Sequence, residues 1–512
     1  MIVYDQNFIV LVVYTAVDGF TFPSDWKKIR QSMLERRLEE NNEMSVGVRG
    51  SFLDNSDIEE LVVIQRERVR SPPPLVQIDP LMEEVMRISN FTELEIRFSS
   101  NDFIQGRNSF GEPTPLPSTP FRGSDAVWNL TKSLIRSRLY EGSTGNSLFS
   151  PISILTALNI LLLGTTGEIQ QEMISTLGYP RYTGLVHSQF QQIIKSMNED
   201  IGVTISTSNA LFSQVNFPLE QRYKDELKFY YGDLVEIIPL DFTRRPISTM
   251  RIMNRYIRSK TKNLIANMFT EPVPQDSKLV ISNALYFNGT WEYEFELSAD
   301  YTGREILFNS FKTSIDITIM EGNMDFPFLA DPEVGFQIAS LPYEHDIRNE
   351  EISEAHMFFV LPTREGEEEY KNLEQKMTNM DWEDVFNRMD QVYGEIQIPR
   401  MKMEFQANLA PTLSNLGLKK LFSGRGSLDF SPLTPRWDQF KLDTLQHKTI
   451  LKITEKGTEA AASTSAFQFR MIPSISFKLD RPFFLFIYDA LNKVVIFWAR
   501  VVEPTPLEYD EP

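Results

Sequence analysis

Residues 454–466 read TEKGTEAAASTSA and form the most unusual stretch of this 512-residue chain. A helix would show an apolar stripe and a surface loop would show turn residues, and this stretch shows neither. Read as a strand, its alternate residues from 458 to 466 lie on one face and are all small and uncharged. Such a strip can slide between two existing strands without steric clash and without burying a charge. A flexible linker or an alanine-rich helix cap is the alternative interpretation.

Strongly patterned elements surround this stretch. Apolar residues at helical spacing, or in one continuous run at 153–163, predict helices at 125–139, 153–163, 167–177 and 186–197. Strand patterns are found at 279–286, 335–341, 356–361, 395–399, 483–488 and 494–502. The last two strands read as a hairpin that is buried on both faces. Helices mixed with mostly antiparallel strands predict an α+β domain.

The charge balance and the missing residue types exclude several functions. The chain has 51 basic and 70 acidic residues and a net charge of −19, which argues against a nucleic acid partner, although local basic patches remain compatible with it. The absence of cysteine excludes thiolate catalysis, iron–sulfur clusters, zinc fingers and disulfides. The four histidines form no zinc-protease motif, and no nucleophile elbow or nucleotide loop occurs. We therefore expect neither an enzyme nor a bound metal or cofactor.

The first part of the chain differs from the rest. The apolar run at 8–17 has the length of a signal-peptide core, so 1–19 is a candidate signal peptide, with a buried strand or an N-terminal anchor as the alternative. Residues 20–122 are rich in charge and proline and predict a largely disordered extension that serves as a spacer or a regulatory arm. No apolar run is long enough to span a bilayer, so we expect no membrane partner.

Four motifs that follow one another along the chain resemble the serpin family. They are the hinge EKGTEAAA at 455–462, NSLFSPIS at 146–153, LVISNALYFNGTW at 279–291, and RPFFLF at 481–486 with the run at 494–504. The resemblance implies a serpin fold with three β-sheets, about eight or nine helices and an exposed reactive-centre loop. It places the serpin domain at 123–505, the loop at 455–478 and a C-terminal tail at 506–512.

The resemblance implies an inhibitor of serine proteases that acts as a suicide substrate. A protease cleaves the loop, and residues 457–470 then insert into the main sheet. Two family spacings, one counted forward from Gly457 and one counted back from Pro482, both place the specificity residue at Met471. We therefore expect cleavage between Met471 and Ile472, by a chymotrypsin-like or elastase-like protease. Cleavage between Arg470 and Met471 by a trypsin-like protease is the alternative.

Further residues match family positions that control insertion. The hinge residues are Glu455, Gly457, Thr458, Glu459, Ala460, Ala461 and Ala462. The residues that match the shutter beneath the main sheet and the breach at its top are Ser150, Ser153, Asn283, His447, Trp291 and Arg400. Arg400 matches the partner of Glu455 in a charge pair. The helix at 186–197 resembles the one used by heparin-activated members, but its only cation is Lys195, so we expect no heparin activation there.

The cellular setting follows from weaker signals. Asn90, Asn129 and Asn288 open N-x-Thr sequons and are candidates for glycosylation if the chain is secreted. We expect an extracellular monomer. A non-inhibitory member of the same fold, serving as a carrier, chaperone or storage protein, is the alternative function.

Overall fold

The computed structural model describes residues 2–5, 8–11, 121–137, 145–198, 203–295, 304–345, 354–423, 426–442, 444–457 and 475–507. The chain divides into two units, Met1–Ser118 and Thr119–Pro512. In the first unit, strand β1 (Ile2–Asp5) pairs with strand β2 (Phe8–Leu11) as an antiparallel hairpin. The described hairpin lies within the candidate signal peptide 1–19. Residues 20–120 of the expected extension, Asn90 within it, and residues 508–512 of the expected tail lie outside the described residues.

The described part of the second unit contains ten α-helices. They are α1 (Gly123–Arg136), α2 (Pro151–Leu163), α3 (Gly167–Leu177), α4 (Thr183–Asn198), α5 (Gln221–Tyr231), α6 (Pro246–Lys260), α7 (Glu367–Met377), α8 (Trp382–Asn387), α9 (Ala410–Asn415) and α10 (Lys419–Ser423). The four helices expected from the sequence correspond to α1 to α4. None of the described helices is both long and apolar enough to cross a membrane.

The strands of the second unit, in chain order, are β3 (Ser147–Phe149), β4 (Val203–Gln214), β5 (Val235–Leu240), β6 (Leu279–Gly289), β7 (Arg304–Asn309), β8 (Ser314–Asp331), β9 (Phe336–Pro342), β10 (Ala355–Pro362), β11 (Asp390–Pro399), β12 (Met401–Asn408), β13 (Leu445–Ile453), β14 (Ile475–Lys478), β15 (Phe483–Asp489), β16 (Val494–Val501) and β17 (Thr505–Pro506). All six expected strands are found, with ends that differ by a few residues. The α+β class is confirmed.

Two large sheets hold these strands. Six strands form one sheet in the order β17-β12-β13-β6-β4-β5, in which β13 and β6 are parallel neighbours. Nine strands form the other, in the order β14-β11-β8-β9-β10-β15-β16-β3, with β7 also paired to β8. The resemblance implied three sheets, with this second set of strands divided between two of them. Here the long strand β8 pairs with β11, β7 and β9 along different parts of its length, so hydrogen bonds connect both groups.

The core forms around α2 and the hairpin of β15 and β16. Of the 13 residues of α2, 12 are buried, which agrees with its all-round apolar sequence. Every residue of β15 and β16 is buried as well. The helix α2 packs against β16 of the nine-stranded sheet and against β6 of the six-stranded sheet. It therefore lies between the two sheets, and its N-terminus reaches the centre of the six-stranded one.

Candidate functional site at the seam between β6 and β13

The ladder that joins β6 to β13, called the seam below, is the parallel pairing next to which the expected hinge begins. Its register runs from Leu445 opposite Ile281 to Ile450 opposite Tyr286. On its other side β13 pairs antiparallel with β12. A chain that leaves the end of β13 and turns back along it can lie antiparallel to both β13 and β6. Insertion there exchanges one parallel ladder for two antiparallel ladders, which are slightly more stable per residue.

The hinge already begins this arrangement. Gly457 forms an antiparallel bridge to Thr454, which follows β13, and a second one to Thr290, which follows β6. The amides of Thr454 and Gly457 donate to each other's carbonyl oxygens at 2.8 and 3.0 Å. Gly457 has φ +123°, and a Cβ there would collide with the carbonyl oxygen of Gly289. Only glycine fits this position, which lies at the mouth of the seam.

Trp291 holds the other side of the mouth. Its indole nitrogen donates to the carbonyl of Thr454 at 3.0 Å, and its backbone amide donates to the carbonyl of Lys456 at 3.1 Å. The indole stacks on Tyr343, with the ring centres 4.6 Å apart, and both rings are buried. These contacts fix the hinge to the ends of β6 and β9. Tyr343 did not emerge from the sequence, because only the fold brings it to Trp291.

A buried ion pair fixes the first hinge residue. Arg400, which lies between β11 and β12, approaches Glu455 with Nε and Oε2 3.2 Å apart, and both side chains are less than a tenth exposed. Arg400 also donates to the carbonyl of Leu507, and the Glu455 carbonyl accepts from Phe295 at 2.9 Å. Removing either charge would take this counter-charge away from the other buried group, which is costly.

Asn283 is the centre of a buried polar network beneath the seam. Its Oδ1 lies 2.8 Å from the Ser153 hydroxyl, which donates to it, and 2.6 Å from His447 Nδ1. Its Nδ2 donates to the Ser153 carbonyl at 3.1 Å and to Asn209 Oδ1 at 2.5 Å. All four residues are almost fully buried. The network therefore joins α2, β4, β6 and β13 with every hydrogen-bonding group of the Asn283 side chain satisfied.

His447 is neutral in this network. The backbone amide of Ser150 donates to its Nε2 at 3.4 Å, so the ring carries its proton on Nδ1 and donates it to Asn283. Burial lowers the pKa of His447 to about 3, because a charged imidazole would lose its hydration there. Ser150 also caps α2 by accepting from the amide of Ser153 at 3.3 Å. Each residue of the network thus has a defined hydrogen-bonding role.

The structure brings together two groups of the expected residues. Ser150, Ser153, Asn283 and His447 form one network, while Trp291, Arg400, Glu455 and Gly457 surround the mouth of the seam about one strand length away. Their roles in controlling insertion stay predictions. The remaining hinge residues and both candidate bonds lie outside the described residues, namely Thr458, Glu459, Ala460, Ala461, Ala462, Arg470, Met471 and Ile472.

Asn209 is a network member that the sequence analysis did not find. It follows a polar run in β4, and its register places it directly opposite Asn283. An asparagine in a buried central strand is a signal in itself, but only the register shows its partner. Of the candidate sequon residues, Asn129 is exposed on α1 and Asn288 belongs to β6.

Together, the fold and the site define an α+β protein in which the segment after β13 bridges two parallel strands of the six-stranded sheet. The family model for serpin (serine protease inhibitor) matches residues 125–504. The chain therefore belongs to the serpin family, whose members as a group are protease inhibitors and not enzymes.

Individual relatives support this assignment. Serpin B4 of Homo sapiens is 28% identical over 389 residues, which cover 71% of this chain and 95% of that protein. Intracellular coagulation inhibitor 2 of Tachypleus tridentatus is 29% identical over 381 residues, with coverages of 72% and 88%. The solved structure of thyroxine-binding globulin in complex with thyroxine has the same fold, with a TM-score of 0.64, 24% identity, and coverage of 75% of this chain and 98% of that one.

Proposed function

We propose that this serpin inhibits a serine protease as a suicide substrate, with cleavage between Met471 and Ile472 and insertion of 457–470 into the seam. The observation that carries the proposal is the position of Gly457, which bridges both strands of the seam in the antiparallel sense. The first residue of the insert thus already has the partners that the following residues would acquire. To extend this pairing beyond Gly457, β6 and β13 must separate as each further residue enters between them.

The residues after Gly457 suit this path. The face of small uncharged residues from 458 to 466 can pass over the packed core without a steric or desolvation barrier. Seventeen residues separate Gly457 from Ile475, where β14 begins beside β11. An intact loop attached at both ends cannot extend fully along the seam. Cleavage releases the hinge side from β14 and removes that restraint.

The chemistry is that of an interrupted proteolysis. The serine oxygen of the protease forms an ester with the carbonyl carbon of Met471, the peptide bond to Ile472 breaks, and the new amino group of Ile472 takes the proton. Insertion of the 14 residues 457–470 at 3.3 Å each then carries the ester roughly 45 Å along the sheet. Insertion must outrun hydrolysis of the ester, so an unobstructed path is essential.

Specificity follows from the side chain at the cleaved bond. Met471 suits the apolar pocket of a chymotrypsin-like or elastase-like protease. Arg470 suits a pocket with a carboxylate, as in trypsin-like proteases. The experiment is incubation of the full chain with chymotrypsin, elastase and trypsin, followed by denaturing gels and mass spectrometry of the released C-terminal peptide. An SDS-stable complex and a peptide that begins at Ile472 are expected. Cleavage without any complex would contradict the proposal.

A hinge variant tests insertion separately from recognition. Thr458→Arg places a long charged side chain on the small-residue face, so it should be cleaved normally but should form little complex. Thr313→Arg, at an exposed position before β8, adds the same charge away from the seam and should leave the complex yield unchanged. Equal complex yields for the two variants would contradict insertion between β6 and β13.

A carrier, chaperone or storage function is the second candidate. It is supported by the likeness to thyroxine-binding globulin, whose solved complex contains thyroxine. Under this function the three proteases would leave cleaved protein and no complex. The gel experiment therefore distinguishes the two candidates.

We also propose that the protein is secreted as a monomer and glycosylated at Asn129, which is exposed on α1. Expression in an animal cell line, analysis of the medium and glycosidase treatment test this proposal. A shift in mobility that Asn129→Gln abolishes is expected. Retention of all the protein inside the cells would contradict secretion.

A further inference from the structure

The helix α6 and the segment after it form a basic region on an acidic protein. Between Asp241 and Glu271 the chain has no carboxylate but has seven basic residues, whereas the whole chain has a net charge of −19. Three of the seven, Arg251, Arg255 and Arg258, follow one another at helical spacing and are exposed. They therefore form a stripe of positive charge along α6.

These three arginines line one wall of a groove. The other wall is the segment 261–270 that follows α6, called the returning segment below, which contributes Asn267 and Thr270. Hydrogen bonds make the groove rigid at its base. Asn254 Oδ1 accepts from the amides of Met268 and Phe269, and its Nδ2 donates to the Phe269 carbonyl at 2.8 Å. The groove thus has a fixed shape with cations along one side and polar groups along the other.

Helix stability does not account for the stripe. Arg251 and Arg255 are four residues apart, and like charges at that spacing weaken a helix. A cation in the last turn, such as Arg258, interacts favourably with the helix dipole, but Arg251 and Arg255 lie further from that end. Neither of these two forms an ion pair with another described residue. Lys260, by contrast, pairs with Glu236.

We propose that the groove binds a compact anion that carries several phosphate or sulfate groups. The three guanidinium groups are spaced over about two helical turns, roughly 10 Å, which matches an anion with at least two separated oxyanion groups. Arginine binds phosphate and sulfate oxygens through paired hydrogen bonds. Asn267 and Thr270 supply side-chain donors from the opposite wall. No carboxylate lines the groove to repel such a ligand.

The position of the groove gives the bound anion a second effect. An apolar cluster joins Met253 and Ile257 of α6 to Ala284 of β6 and Ile450 of β13, so α6 covers the seam. The returning segment is attached to β13, because Lys448 of that strand donates to the carbonyl of Asn267 at 2.8 Å. A strand that enters the seam moves β6 and β13 apart by an additional strand spacing of about 4.8 Å. An anion that bridges the two walls would oppose this movement and slow insertion.

Binding is tested with the full chain and inorganic tripolyphosphate by calorimetry at fixed ionic strength, with sucrose octasulfate as the sulfate source. The double variant Arg251→Gln, Arg255→Gln should weaken binding at least about tenfold. Arg244→Gln, Arg245→Gln removes the same charge at the start of α6, outside the groove, and should change binding by less than about twofold. Absence of binding, or equal losses in both double variants, would overturn the proposal. The relative affinities of the two anions identify the preferred oxyanion.

The effect on the cover is tested by amide hydrogen exchange. Saturating tripolyphosphate should slow exchange across 246–270 in the unchanged protein and should not slow it in the Arg251→Gln, Arg255→Gln variant. If the anion changes the exchange rates of both proteins equally, or of neither, the bridging role is overturned. The link to insertion rests on the proposed function. There, the anion should divert protease reactions from complex towards cleaved product. If no complex forms even without the anion, the proposed function fails, whereas calorimetry and hydrogen exchange still decide whether the groove binds.

Discussion

His447 of β13 and Asn283 of β6 are register partners across the seam, and their side chains form a hydrogen bond of 2.6 Å beneath it. The same two strands are bridged at the mouth of the seam by Gly457. Polar contacts therefore hold β6 and β13 together at the centre of the seam, and the hinge already bridges the two strands at its mouth. A strand that enters must break the first contact while it extends the second.

Loss of Asn283 should destabilise the native state. Asn283→Ala leaves the Ser153 hydroxyl, His447 Nδ1 and Asn209 Oδ1 without their partner, and each unsatisfied buried group costs about 1–3 kcal/mol. We expect a loss of several kcal/mol in the free energy of unfolding, measured by urea denaturation. Asn387→Ala, at an exposed position on α8, is the matched control and should be neutral. Equal stabilities of the two variants would show that the network contributes nothing.

Acid should weaken the fold through His447. The pKa of this histidine is about 3 in the folded state against an ordinary value of 6.5, because burial disfavours the charged ring. Below pH 6.5 the unfolded state binds a proton that the native state rejects, so the stabilisation is complete above pH 6.5 and is lost progressively as the pH falls towards 3. Between pH 7 and 5 this amounts to about 2 kcal/mol for one group.

The variant His447→Gln removes the group that takes up a proton on unfolding and retains a hydrogen-bond donor and an acceptor. Its free energy of unfolding should fall less steeply than that of the unchanged protein over the same pH range. Burial also lowers the pKa of His187, to about 4, and this contribution remains in both proteins. Parallel pH profiles would contradict the assignment of the proton to His447.

Gly457 should not tolerate a side chain. Gly457→Ala requires φ +123° and a Cβ against the carbonyl oxygen of Gly289, so the hinge must leave its place between the strands. We expect a lower melting temperature and faster proteolysis at 455–458. In Gly145→Ala the added Cβ meets nothing within 4 Å, which makes it the control. Unchanged melting of both variants would mean that the hinge does not occupy the mouth of the seam.

The ion pair between Arg400 and Glu455 should show strong coupling. Glu455→Met removes the carboxylate that faces the buried guanidinium of Arg400 and should cost about 3 kcal/mol or more, whereas Arg400→Met combined with Glu455→Met should cost less than the sum of the two single changes. A double-mutant cycle measures this coupling. Arg222 and Glu226 form an exposed pair on α5 for comparison, where the same cycle should give almost no coupling. Additive losses at Arg400 and Glu455 would contradict the buried pair.

The sequence predicted those helices and strands whose environment can be read from their own pattern of apolar residues. The helix α2 is apolar all round because it lies between two sheets, and the hairpin of β15 and β16 is apolar because it is buried on both faces. The face of small residues after Gly457 could also be recognised from the sequence, because its smoothness depends on the size of each residue and not on distant contacts. For these elements, composition and period determine the environment.

What the sequence could not give depends on long-range register. Asn209 becomes a partner of Asn283 only because β4 and β6 pair with those two residues opposite each other. Tyr343 follows β9 and stacks on Trp291, which lies more than 50 positions earlier in the chain. The groove of α6 was missed because a negative net charge conceals a local run of cations. The continuous nine-stranded sheet depends in turn on the length of β8.

The central claim is that the intact chain is held above its lowest free energy. An inserted strand of the 14 residues 457–470 adds on the order of 14 hydrogen bonds at about 1 kcal/mol each, which for the matched region 125–504 corresponds to a rise in melting temperature of roughly 20 °C. The most direct test compares the melting temperatures of the intact protein and of protein cleaved at 471–472. A much higher melting temperature for the cleaved form is expected, and equal melting temperatures would contradict insertion.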